Sequence, residues 1–507
     1  MSTTASQGRV LVVGAGPGGL TAAMILARRG FQVTVFEARS RVGGRNGCIE
    51  LGPYRFDIGP TFLMLKGILD EVFHEAGASS ESLLSFRRLD PMYRLQFAER
   101  RLEPTDDPAR MRAEIARVFP GHEAGFDRFY ARERARFARM LPCLQKSYHR
   151  IGSLLSPTLL QALPHLALGR SLFDVMNGYF REEELALSFT FQSKYLGMSP
   201  WMCPGLFAMI PYIEHAFGIF HVDGGLSRIS DAMADVVRQN GGEIRLETPV
   251  QRILADRGAA RGVRLADGSE IRGDAVVLNA DFGHAMSTLF DPGILRRYAP
   301  ERLARLKLSC STYMLYLGLD AAYDIPHHTI VFARDYRANI GAIFGGRRVG
   351  PDLSFYVRHA GVTDPGLAPA GHSALYILVP VANQRSGLDW QADAAAFREQ
   401  VLDAAEQRVP LPGLRRHIRA ERAITPLDWQ QDYRVFEGAT FNLAHGLDQM
   451  ITWRPRNQFE ELDNVYLVGG GTHPGSGLPT IYESGRIAAN LLSRRYRVPF
   501  LSGNLAV

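Results

Sequence analysis

Three stretches of the 507-residue sequence predict an α/β protein. Residues 10–13 (VLVV) are a short β-branched run closed by glycine, the pattern of a parallel strand buried on both faces. Gly14, Gly16 and Gly19 follow in GxGxxG spacing, and residues 20–27 keep helical spacing up to Gly30. Residues 32–36 (QVTVF) read as a second strand, which ends at Glu37. This order predicts a Rossmann-like domain. The rest of the chain adds a mixed α+β domain and a helical part.

Each element of that start has a physical reason. Gly14 permits the tight turn, Gly16 lets backbone approach a pyrophosphate, and Gly19 lets the helix pack closely on the strand. The helix N-terminus turns its free N–H groups toward the phosphates. Glu37 sits about 20 residues beyond the glycines, where a carboxylate accepts from both hydroxyls of a ribose. Arg41, Gly43, Gly44 and Arg45 then form an RxGGR element.

A hydrophobic fraction of 46% and a charged fraction of 22% are those of a folded protein, and the length calls for two or three domains. The net charge of +6 is carried almost wholly by arginine, since the only lysines are Lys66, Lys146, Lys194 and Lys307. It gives no pattern of nucleic-acid binding. Cys48, Cys143, Cys203 and Cys310 lack metal-ligand or disulfide spacing and read as free thiols of a reducing compartment. Residues 1–9 carry no apolar signal segment, which predicts a cytoplasmic protein. The most membrane-like stretch, residues 201–220, is broken by Pro204, Pro211, Glu214 and His215, so no transmembrane helix is expected.

Residues 54–61 (YRFDIGPT) turn at Asp57, Gly59 and Pro60. Helical spacing follows over 68–76, 108–118 and 125–141. The last of these sets Phe126, Phe129, Tyr130, Phe137, Met140 and Leu141 against Arg128, Arg132, Arg136 and Arg139. Residues 156–180 are apolar, broken by proline and preceded by Lys146 and Arg150. A basic helix beside a greasy segment predicts peripheral attachment to a membrane surface. Residues 201–220 suit a cavity wall or plain core.

A helix from Leu226 stops at Gly241 and Gly242. Strands are expected at 243–246, 250–254 and 275–278, with a hairpin at Asp267 and Gly268. Apolar strand patterns recur at 307–319 and 374–380. Residues 465–471 repeat the strand and glycine turn, and 484–492 the helix that follows it, the form of a second loop closing on a cofactor.

The pieces VVGAGPGGL, RVGGR, DIGPT, FYVRHAGVTDPGLAPAG and NVYLVGGGTHPGSGLPTIYESGR resemble the phytoene desaturase family of bacterial carotenoid enzymes, in the flavin amine oxidase superfamily. The TDPGLAPAG and THPGSGLP elements are its specific marks. The resemblance covers nearly the whole chain and implies an FAD-dependent oxidoreductase. Gly14, Gly16, Gly18, Gly19, Glu37, Gly43, Gly44, Arg45, Gly470 and Gly471 would bind FAD. Val250 would face the adenine, while residues 54–61, Thr472, His473 and Pro474 would lie near the flavin ring. It also divides the chain: residues 1–75, 221–291 and 445–507 would form the FAD-binding domain, 76–220 a helical substrate and membrane region, and 292–444 a substrate domain.

The implied reaction desaturates a linear polyisoprenoid by hydride transfer to flavin, with quinone or oxygen as the final acceptor. A proton acceptor is then needed, and His473 and Glu483 are candidates by position. No metal is called for. The sequence 478–484 (LPTIYES) departs from many forty-carbon phytoene desaturases, which leaves open a thirty-carbon diapophytoene or squalene-type substrate, or oxidation of a terminal methyl. Three alternatives stay beside this reading: a carotenoid isomerase, an amine oxidase using Lys307, and a flavin-free prenyl-binding escort protein.

Overall fold

A computed structural model describes residues 7–148 and 151–500. Arg150, counted above among the basic residues, lies outside them. A five-stranded parallel sheet forms the first layer, in the order Val465–Leu467, Ala275–Leu278, Arg9–Val13, Gln32–Phe36 and Glu243–Arg245. Its strands come from three distant parts of the chain. In the central strand Arg9–Val13, residues 10–13 are buried without alternation, which is why they are all apolar.

The helix Pro17–Arg28 is buried through Ala27 because it lies beneath two others, Ser227–Gln239 and Leu478–Arg495. Glycine sets this crossing: a Cβ on Gly485 would stand 2.6 Å from the Gly18 carbonyl oxygen. The last helix begins at Leu478, six residues before the expected start, with Pro479 in its first turn where a missing N–H costs nothing.

The second layer is a seven-stranded sheet in the order Ile418–Ile424, Ser311–Leu319, Ser373–Val381, Phe355–His359, His328–Val331, Arg94–Gln96 and Arg101–Leu102. It is antiparallel except where His328–Val331 meets Arg94–Gln96. Two of its strands therefore come from residues 76–220, the part expected to be helical. Ser311–Leu319 is buried on both faces. A three-stranded meander, Val250–Asp256, Ala259–Leu265 and Glu270–Arg272, contains the expected hairpin and one strand that the sequence pattern did not suggest.

The helices Pro108–Val118, Pro157–Ala162, Leu172–Phe180 and Met209–Phe217 pack against Glu123–Leu144. Its arginine side is not uniformly solvated. Arg136 is buried with Glu133 in an ion pair, and the Tyr179 hydroxyl donates to Glu133 at 2.8 Å. No helix among the described residues is long and apolar enough to cross a membrane.

Candidate active site

The two glycine turns of the parallel sheet face each other. Gly14 has φ +98°, and its carbonyl accepts from Asn279 Nδ2 at 3.0 Å. A Cβ on Gly19 would stand 2.3 Å from the Gly14 oxygen, so close packing of helix on strand requires glycine there. Asn279 also fills the space beside Gly16 and Gly18, where a Cβ would come within 2.9 Å of its amide. The RxGGR turn closes on the same point: the Gly43 N–H donates to the Ala15 carbonyl at 2.8 Å. A Cβ on Gly44 would lie 3.7 Å from Gly16 Cα.

Glu37 is buried, and its carboxylate accepts the N–H groups of Ala15 at 2.8 Å and Arg39 at 3.0 Å. These bonds fix it at the end of its strand and leave lone pairs for further donors. Thr248 N–H donates to the Glu37 carbonyl, which brings Val250 to the same end of the sheet. Arg45 spans to the facing domain, donating to the Thr440 carbonyl at 2.7 Å with Asp281 at 3.7 Å.

The C-terminal turn is held from behind by Arg454. This guanidinium is fully buried among carbonyls, and burial pulls its pKa down to about 9. It donates to the carbonyls of Leu443, Ala444, Gln449, Gly470 and Thr472, the last two at 2.7 and 3.0 Å. Gly471 is packed so that a Cβ would meet Phe282 Cβ at 2.4 Å. Arg454 carries no local sequence signal, because nothing in its neighbours marks a buried cation.

Between these turns and the seven-stranded sheet opens a cavity of about 270 Å³. Phe62, Phe191, Phe355, Phe441, Tyr195 and Trp429 supply its aromatic surface, and Arg45, Ser476 and Gly477 join it to the cradle. The sheet contributes residues two apart, Thr312 and Met314, His328 and Ile330, then Tyr376, Leu378 and Pro380. That alternation is the sequence signal that would have found them. Residues 201–220 and 156–180 do not line it; they are core and surface.

The expected proton acceptors are elsewhere. His473 is buried, its Nε2 donates to the Lys146 carbonyl at 2.9 Å, and burial lowers its pKa to about 4. Glu483 is ion-paired with Arg486 and accepts from Gln145 at 3.1 Å. Neither lines the cavity: His473 is turned to the chain that follows helix Glu123–Leu144, against Tyr148, and Glu483 is held by Arg486 within the last helix. Lys307 is exposed and paired with Asp448 at 2.7 Å, while the lysine on the cavity wall is Lys194. Lys194 donates to Ser354 at 3.0 Å, and burial lowers its pKa to about 7. His221, Asp223 and Asp364 gather with ligand atoms within 4.8 Å of one another, but Arg87, Arg358 and the Gly224 N–H already satisfy them.

The family of flavin-containing amine oxidoreductases matches the chain over residues 17–493. A 4,4'-diapophytoene desaturase (4,4'-diapolycopene-forming) of a Methylomonas species is 53% identical over 98% of this chain and 97% of its own. An all-trans-zeta-carotene desaturase of Myxococcus xanthus is 39% identical over 96% and 93%. Among solved structures, the cyclohexylamine oxidase of Brevibacterium oxydans superposes with a TM-score of 0.62 at 18% identity, covering 97% of this chain and 99% of that one, a likeness of fold. The cradle fits FAD: the glycines leave backbone room for a pyrophosphate, the first helix points its N-terminus there, and Glu37 retains acceptor capacity for a ribose. The chain belongs to the flavin-containing amine oxidoreductase family and, within it, to the phytoene desaturases, as an FAD-dependent oxidoreductase.

Proposed function

We propose that the chain desaturates a linear polyisoprenoid of the phytoene class, with the thirty-carbon diapophytoene as the favoured substrate. The observation that carries this reading is the cavity wall. It is aromatic and aliphatic, joins the FAD cradle, and among the described residues has no carboxylate to receive an ammonium. The Methylomonas relative supports the thirty-carbon choice.

FAD supplies the acceptor of a hydride equivalent. The protein's part is to hold the chain extended and dry, and the cavity wall that includes Phe62, Phe355 and Tyr356 supplies the apolar surface for this. Arg45 and the turn 59–61 close the end of the cavity that meets the cradle. Mixed anaerobically with lipid-dispersed diapophytoene, the yellow protein should bleach as a conjugated product appears, each step lowering product mass by two hydrogens. Bleaching by amines and by no polyene would overturn the reading.

Such a substrate does not arrive through water, so the chain docks peripherally on the inner face of a membrane. Leu155, Leu160, Leu163, Leu168 and Met202 are exposed. Lys146 and Arg139 reach into it through Thr158 and Gln161.

A further inference from the structure

Desaturation leaves a proton in an apolar cavity, and the mechanism above gives it no way out. Among the ionisable side chains on the cavity wall, Tyr356 and His328 are linked to each other and to what lies behind them. The Tyr356 hydroxyl lies 3.0 Å from Thr61 Oγ1 and 2.6 Å from His328 Nδ1. Thr61 belongs to the turn that closes the cradle end of the cavity. Behind His328 stands His327, with ring centroids 4.2 Å apart. His327 Nδ1 lies 2.8 Å from Thr363 Oγ1, on a partly exposed loop. The two Nε2 atoms are buried and have no hydrogen-bond partner. Thr363 and Asp364 open the TDPGLAPAG element, which therefore meets the DIGPT element through this histidine pair.

We propose that Thr61, Tyr356, His328, His327 and Thr363 form a proton exit from the cavity to the surface; this rests on the desaturase reading. The substrate C–H bond breaks and its proton bonds to Tyr356 Oη, while the hydroxyl hydrogen passes to a bare His328 Nδ1. His328 gives its Nε2 hydrogen to a water between the two rings, and that water gives one of its own hydrogens to His327 Nε2, since the two Nε2 atoms do not bond each other directly. His327 releases its Nδ1 hydrogen through Thr363 to water. Both rings end neutral in the opposite tautomer, and rotation resets them. The electron pair of the broken bond stays with the polyene as its new double bond.

The surroundings suit transit rather than storage. Burial, then neighbouring positive groups, hold His327 and His328 well below the usual histidine pKa, so each is neutral at rest. The groups facing them are Arg358, His221 and His359. Arg358 is ion-paired with Asp57 at 2.9 Å, and His221 donates to Asp364 at 3.1 Å. A proton lingering on either ring is repelled by Arg358 and moves on. After loss of a hydride the adjacent C–H is strongly acidic, so a weak base suffices.

The test mixes FAD-loaded enzyme with diapophytoene in weak buffer, following flavin bleaching and a pH-indicator dye together. In the wild type the dye should respond with bleaching. In His327→Leu, and in His327→Gln, whose side chain does not line the cavity, the dye should lag bleaching by at least about tenfold. Tyr356→Phe should delay both the dye and the conjugated product behind bleaching, on the order of 10²-fold. In D₂O the wild-type dye response should slow, a measurement that needs no variant. Dye and bleaching keeping pace in both His327 variants, or no solvent isotope effect, would overturn the proton exit. Absence of bleaching in the wild type would instead sink the desaturase reading.

Discussion

At the scale of single residues, the FAD cradle is specified by atoms that are missing. Gly16 was expected to make room for a pyrophosphate, and the structure adds a second reason: Asn279 occupies the space where a side chain would begin. Gly16→Val should therefore push Asn279 off the Gly14 carbonyl as well as block the phosphate, and the purified protein should carry almost no flavin. Glu37→Ala leaves the backbone room intact and removes acceptors. It should weaken FAD retention by roughly tenfold, about the worth of a single hydrogen bond to a charged group. Flavin absorbance per protein after gel filtration measures both, and equal flavin content in the two variants would contradict this assignment. Arg454 acts the other way, by presence. Five carbonyls depend on one buried guanidinium, so the C-terminal turn is ordered by a residue that itself faces no solvent.

At the scale of elements, the helix Met209–Phe217 shows where sequence reading succeeds and stops. Its apolar residues predict burial, and it is buried; Glu214 inside it gives no hint of what satisfies it. In the fold the Tyr93 hydroxyl and Gln192 Nε2 donate to Glu214 Oε2 at 2.9 and 2.8 Å, and burial without a cation raises its pKa to about 7. The folded state thus binds a proton that the unfolded state has lost between pH 4.5 and 7, so stability falls as pH rises through that window and the cost is complete above it. Glu214→Gln should raise the melting temperature at pH 8 and change it little near pH 4.5, a difference on the order of 3 kcal/mol. Equal shifts at both pH values would contradict the burial cost. The elements that local pattern defines were legible: the strand, glycine turn and helix of residues 9–28, the helix Pro108–Val118, and the strand Ser373–Val381. What was not legible depends on pairing over long sequence separation. Arg94–Gln96 joins a sheet whose next strand begins at His328, and no local pattern encodes that partner. The glycines and Glu37 could be read because backbone geometry demands them. Tyr356, His328 and Thr363 could not, because only the fold brings them together.

At the scale of the whole molecule, one unevenly distributed feature among the described residues is the exposed apolar side chains of residues 155–202. Leu155 is 74% exposed, Met202 70% and Leu168 63%, while Leu160 and Leu163 are near half-exposed. Scattered single leucines on a surface need no explanation, but four exposed leucines within residues 155–168, with Met202 exposed as well, do. Phe173 packs on Trp201 and Ser171 bridges Pro204, which holds Met202 beside the leucine segment. The cations are arranged to match. Lys146 bonds Thr158, and Arg139 bonds Gln161, so both stand over the helix Pro157–Ala162, whereas Arg136 is neutralised in the core by Glu133. A surface of this kind gains energy by sinking leucines into the interface and by meeting anionic headgroups, about 1.5–3 kcal/mol for each leucine fully buried and about 1 kcal/mol for each cation. The wild-type protein should co-sediment with anionic vesicles at low salt and be partly released as salt rises. Replacing Leu155, Leu163 and Leu168 together by serine should lower vesicle binding by at least about tenfold with flavin content unchanged, since none of the three touches the cavity or the cradle. Substituting Lys146 and Arg139 by glutamine should flatten the salt dependence and leave the residual, salt-resistant binding in place. Binding of the triple serine variant equal to the wild type would remove this surface as the membrane contact.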